Sequence, residues 1–158
     1  MAPRFRPLSV LIFSLSGALL YAAWVTWRFP GANLTSQYVY VVPIVVPFVA
    51  FLFDRLGEIG DVSPVAFLVD ALVVGTAMMR VVAHVPFVSG HALFLTYAIV
   101  RPGSFVTRIT SAVVMLEVVY LKFFVWHDFI TPITGMTLAL VAAFIVRRLS
   151  RTDTPNKI

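Results

Sequence analysis

Uncharged apolar runs separated by short polar breaks organise this chain. The first, Pro7–Trp27, lies between Arg6 and Arg28 and carries no charge over 21 residues. At 1.5 Å rise per residue, such a helix just crosses a ~30 Å hydrocarbon core. It exceeds the ~7–15-residue apolar core of a signal peptide and reads as an uncleaved helix. The second run, Phe29–Phe53, opens with the turn signal Pro30-Gly31-Ala32-Asn33, which predicts a helix over Tyr38–Phe53 kinked at Pro43 and Pro47. Asp54–Ser63 is polar, contains Gly57 and Gly60, and reads as a loop. Ser63-Pro64 has the form of an N-cap followed by a first-turn proline, so a third helix is predicted from there to about Val82, carrying Asp70. His84-Val85-Pro86-Phe87-Val88-Ser89-Gly90-His91 interrupts the pattern. A fourth helix is predicted from Ser89 to Arg101-Pro102-Gly103, a fifth over Ser104–Trp126, and a sixth from Pro132 to Arg147-Arg148. Residues 1–149 thus form one transmembrane helical domain, and 150–158 a polar tail.

Composition supplies the reason for this pattern. Of 158 residues, 60% are hydrophobic and 12% charged, against roughly 45–50% and 25% in soluble domains. A domain of this size has too little interior for so much apolar surface, which points to lipid as solvent and away from a soluble enzyme, a disordered chain or a coiled coil. With no cysteine, disulfides, thiolate metal sites and cysteine nucleophiles are excluded. The net charge of +5 is read as membrane anchoring rather than nucleic-acid binding.

The basic residues orient the spans. With the N-terminus inside, Arg4, Arg6, Arg55, Arg101, Arg108, Arg147, Arg148, Arg151 and Lys157 fall on the cytoplasmic side, and Arg28, Arg80 and Lys122 on the other. This positive-inside bias predicts an all-α, polytopic protein of the cell membrane, with six transmembrane helices in one bundle and both termini cytoplasmic. It also brings His84, His91 and His127 to one outer level with Arg80, Lys122 and Asp128. Ionisable residues at such positions are functional candidates.

Ser89-Gly90-His91-Ala92, at the start of a helix, resembles the second signature of the type-2 phosphatidic acid phosphatase family, Pro-Ser-Gly-His followed by Ala. His127 with Gly135 eight residues on resembles the third, which has His, then Asp after four residues and Gly after four more. The resemblance covers roughly Arg80–Arg148. In this chain Val88 replaces the family's Pro, and Thr131 stands at its Asp. Lys122 is one residue from the position of its Arg, and of the first signature only Arg80 has a counterpart.

The resemblance implies a six-helix lipid phosphatase with a non-cytoplasmic site, acting on a membrane lipid phosphomonoester or pyrophosphate without a cofactor. His127 would attack phosphorus and His91 would protonate the leaving alkoxide. Ser89 and Gly90 at a helix start, with Arg80 and Lys122, would hold the phosphate oxygens. Asp128 or Thr131 would orient the nucleophilic imidazole.

Two other chemistries fit the same residues. His84, His91 and His127, with Asp128 or Glu117, form a ligand set suited to zinc or another divalent metal, as in a membrane metallohydrolase. Asp70 and Glu117, carboxylates within apolar helices, would suit an ion- or metal-coupled transporter.

Overall fold

The computed structural model describes residues 7–28, 41–58, 63–83 and 87–152. Among the described residues all regular structure is helical: α1 (Pro7–Arg28), α2 (Val42–Gly57), α3 (Pro64–Ala83), α4 (Gly90–Val100), α5 (Phe105–Tyr120) and α6 (Ile130–Thr152), with a π-helical turn, Leu121–Val125, closing α5.

The described boundaries follow local chemistry. Ser89 caps α4 by accepting the Ala92 N–H at 3.3 Å, and Ser104 caps α5 by accepting the Thr107 N–H at 3.2 Å. Pro43 lies in the first turn of α2, where its missing N–H is harmless, and Pro47 is buried inside that helix. The helix expected over Tyr38–Phe53, followed by a loop over Asp54–Ser63, runs further at its C-terminal end. It spans Val42–Gly57, so Asp54 and Arg55 are helical; Tyr38–Tyr40 lie outside the described residues. These charges stay on the helix because neighbouring segments supply their partners. The last helix begins at Ile130, with Pro132 in its first turn, and runs past Arg147-Arg148 to Thr152. An early helical proline needs no partner for its nitrogen, so it need not be the first residue.

Helix α4 is the centre of the molecule. It packs against α6, α5 and α3, and more lightly against α2, while α1 leans on α2. Its Ala92, Leu93, Phe94, Leu95, Tyr97 and Ala98 are buried, with Phe51 of α2, Val73 of α3, Val114, Met115 and Val118 of α5, and Ala139 and Ala143 of α6 around them. Phe94 meets Phe51 edge-on at 5.6 Å. Two glycines permit the closest approaches. A Cβ on Gly90 would stand 2.3 Å from the Ala77 carbonyl oxygen of α3, and one on Gly135 of α6 would stand 2.7 Å from the Ser89 carbonyl oxygen.

The outer surface is apolar. Leu8, Phe13, Leu19 and Leu20 on α1, Phe67, Leu68 and Leu72 on α3, Ile109, Val113 and Leu116 on α5, and Leu140, Val141 and Phe144 on α6 are exposed. Two helical stretches, Pro7–Arg28 and Ile130–Arg148, are long and apolar enough to cross a membrane.

Candidate functional site

The described polar side chains gather at the two ends of α4. At its N-terminal end, the Ser89 N–H donates to the Thr131 carbonyl at 2.8 Å, and Gly135 lies against Ser89. The Ser89-Gly90-His91 helix start and the His127–Gly135 segment, distant in sequence, are therefore one junction. His91 is half-buried in the first turn of α4, Ser89 and Gly90 are buried, and Thr131 is buried in the first turn of α6.

Within this junction Asp128 is the electrostatic hub. Its Oδ2 accepts from Lys122 Nζ at 2.7 Å and from Thr131 Oγ1 at 2.5 Å, and its Oδ1 accepts the Thr131 N–H at 3.1 Å. The last bond caps α6. Partial burial opposes ionisation of Asp128, but the bonds from Lys122 and Thr131 outweigh it and hold the carboxyl below the usual aspartate range. Lys122 is itself buried and lies 5.5 Å from the Trp126 ring centroid. The Asp128 carboxylate is thus committed to Lys122 and Thr131, and the Thr131 hydroxyl to Asp128; neither is recorded on the His127 ring.

His127 turns the chain between the π-helical turn and α6. Its φ is 51°, in the left-handed region, and its ring is exposed. Trp126 N–H closes onto the Leu121 carbonyl at 2.9 Å, and Asp128 N–H onto the Lys122 carbonyl at 2.7 Å, fixing that reversal. A glycine would ordinarily occupy such a position; a Cβ there costs roughly 1–2 kcal/mol. Arg80 lies near the end of α3, but its side chain and the whole of His84 lie outside the described residues.

The metal-ligand set is not assembled by the residues that are described: among them, no three His, Asp or Glu side chains stand close enough to hold an ion. Glu117 sits part-buried in the last turn of α5, with no side-chain hydrogen-bond partner among the described residues.

At the other end of α4 lies a charged centre absent from the sequence-based candidate list except for Asp70. Arg101 grips Asp70 with Nε on Oδ1 at 3.0 Å and NH2 on Oδ2 at 3.3 Å, and the Tyr97 hydroxyl donates to Oδ1 at 2.5 Å. Arg55 reaches Asp70 Oδ2 at 3.5 Å, Glu58 at 2.8 Å and the Pro102 carbonyl at 2.6 Å. Next to it, Asp54 Oδ2 accepts the Ser104 N–H at 2.8 Å and Thr107 Oγ1 at 2.7 Å. Asp70 therefore has partners on both oxygens, as a carboxylate buried within an apolar helix requires. The sequence carried part of this signal, since Arg55 and Arg101 fall at the same predicted membrane side as the start of the Asp70 helix; that Tyr97 and the C-capping Arg101 meet Asp70 was decided by helix packing.

No model of a known protein family matches this chain, and neither curated proteins nor solved structures give a significant match to it.

Proposed function

We propose that this chain is a multi-pass cell-membrane protein of six spans, both termini cytoplasmic, that binds and hydrolyses a lipid phosphomonoester or pyrophosphate at the Ser89–Thr131 junction on the outer face. The membrane reading is supported by the outward-facing apolar side chains of its helices and by the distribution of basic residues. The site reading is carried by one observation: the Ser89 N–H bonds the Thr131 carbonyl, joining the two segments that resemble phosphatase signatures.

In this reading His127 supplies an imidazole lone pair to phosphorus as the P–O bond to the lipid breaks. His91 gives its proton to the departing alkoxide, and water then cleaves the phosphohistidine to inorganic phosphate. The first turn of α4, capped by Ser89 and begun by Gly90, presents its remaining N–H groups to the phosphate oxygens, with Arg80 and Lys122 as the cations. Because Asp128 is bonded to Lys122 and Thr131, no carboxylate among the described residues fixes the His127 tautomer, and turnover is slow. The left-handed backbone at His127 favours a functional origin for this side chain, since a purely structural reversal would be better served by glycine.

The test is phosphate release from a panel of lipid phosphates by purified protein, with and without chelator, beside His127→Ala. Chelator-resistant release that His127→Ala abolishes supports the proposal. Release that chelator abolishes assigns the histidines to a metal, and no release on any substrate removes the hydrolytic reading.

A further inference from the structure

The proposed chemistry leaves the Asp70 centre unused, yet this is the more densely bonded of the two polar ends. It joins four elements. Asp54 and Arg55 come from α2, Asp70 from α3, Tyr97 and Arg101 from the C-terminal end of α4, and Ser104 and Thr107 from the start of α5. Arg55, Asp70 and Arg101 are each at least nine-tenths buried. Arg55 and Arg101 are paired with Asp70 and Glu58, and the third carboxylate, Asp54, accepts the Ser104 N–H and the Thr107 hydroxyl, so each ion has a partner there. One turn beyond Thr107, Ser111 is completely buried and its hydroxyl has no hydrogen-bond partner. The complete burial of Ser111 leaves no open path past the cluster to that point of α5.

We infer that the Asp70 centre is an electrostatic latch that closes the α2–α3–α4–α5 end of the bundle to water and polar solutes. Arg101 and Tyr97 lock α4 to α3, while Asp54 and Arg55 hold the Arg101–Ser104 corner against α2. Opening requires these bonds to break together, because loss of one member leaves the others as buried, unpaired charges. The latch itself stands apart from hydrolysis; only the assignment of its end to the cytoplasm rests on the six-span reading.

The absence of native cysteine makes the test clean. Ser111→Cys replaces a hydroxyl that has no partner to lose, and the resulting thiol reports access to the space behind the latch. The probe is a charged, membrane-impermeant methanethiosulfonate, applied to the full chain in detergent and in right-side-out and inverted membrane vesicles. With the latch intact, Ser111→Cys is expected to resist the reagent. Adding Asp70→Asn is expected to speed its reaction at least about tenfold, in vesicles only from the Asp70 side. Should Asp70→Asn fail to fold, Tyr97→Phe and Arg55→Gln each remove part of the latch and are expected to accelerate labelling to a smaller degree. Rapid labelling with the latch intact, or no acceleration by any folded latch variant, overturns the inference. Acceleration only from the Ser89 side overturns it equally. Phe87→Cys, exposed at the Ser89 end, and Arg108→Cys, exposed near the Asp70 end, report sidedness independently. If both label from one face, the six-span reading fails while the detergent rates still decide the latch.

Discussion

Arg101 holds Asp70 through two parallel contacts, 3.0 and 3.3 Å, across 31 positions of sequence. Both side chains are buried, and the geometry is the two-pronged one that guanidinium and carboxylate groups favour. Asp70→Asn keeps an acceptor for Tyr97 but takes from Arg101 the carboxylate it is paired with. A loss of about 3–5 kcal/mol is expected, as for other broken buried pairs. Tyr97→Phe, which deletes one bond to a charged acceptor, is expected to lose about 1.5–3 kcal/mol. Thermal unfolding in detergent, followed by circular dichroism, measures both. An Asp70→Asn midpoint equal to the parent's would mean the pair contributes nothing.

Gly90, at the α3–α4 contact, and Gly75, on an open face of α3, provide a contrast. A methyl at Gly90 meets the Ala77 carbonyl at 2.3 Å, whereas one at Gly75 meets nothing within 4 Å. Gly90→Ala is expected to destabilise by about 1–3 kcal/mol through overpacking. Gly75→Ala is expected to be neutral or to stabilise by up to about 1 kcal/mol through helix propensity. Equal effects of the two substitutions would show that helix contact at Gly90 does not limit stability.

His127 separates stability from activity. Because its φ is 51°, His127→Gly relieves a left-handed strain and is expected to raise stability by roughly 1 kcal/mol. The same substitution removes the proposed nucleophile and is expected to abolish phosphate release. Unfolding midpoints and a steady-state phosphatase assay on the same preparations read the two effects. Retained activity in His127→Gly would exclude this residue as nucleophile.

Asp128 gives the junction a pH dependence of known sign. Its carboxyl is held below the usual range by Lys122 and Thr131 against an opposing effect of burial. The stabilisation this brings is complete above the unfolded value, about 3.9, and is lost as pH falls through the lower folded value. The midpoint difference between parent and Asp128→Asn is therefore expected to be constant above about pH 5 and to shrink below about pH 4. A difference that stays constant down to the acid limit of the fold would show that Asp128 ionises as freely as in the unfolded chain.

Thr131 stands where the resembled family has an aspartate, but its hydroxyl lies 2.5 Å from Asp128 Oδ2. Thr131→Asp alone would set two carboxylates side by side, and one would hold a proton. Asp128→Asn/Thr131→Asp avoids that conflict and offers one carboxylate to the imidazole. A charge-assisted bond exceeds a neutral one by ~1–2 kcal/mol, which corresponds to about a tenfold gain in kcat. The assay compares the double variant with both single variants. No gain in the double variant would show that tautomer control is not what limits turnover.

The amino-acid order by itself determined the helical class and most of the helix starts. Ser89 and Ser104 are capping residues in local hydrogen-bond geometry, and Pro64 marks the onset of α3. Long uncharged runs likewise dictate apolar outer faces, because the interior of a 158-residue chain is too small for them. Short-range order could not reveal that α2 continues through Asp54 and Arg55. Those residues read as a loop until the Pro102 carbonyl, Ser104 and Thr107 are brought against them. Nor could it show that Asp128 would bind Lys122 and Thr131, leaving His127 to turn the chain, or that Asp70 would find Arg101 and Tyr97. Spacing fixes which face of its own helix a side chain occupies. Which charge meets it there depends on how separate helices cross, and that is settled only when their apolar faces pack around α4.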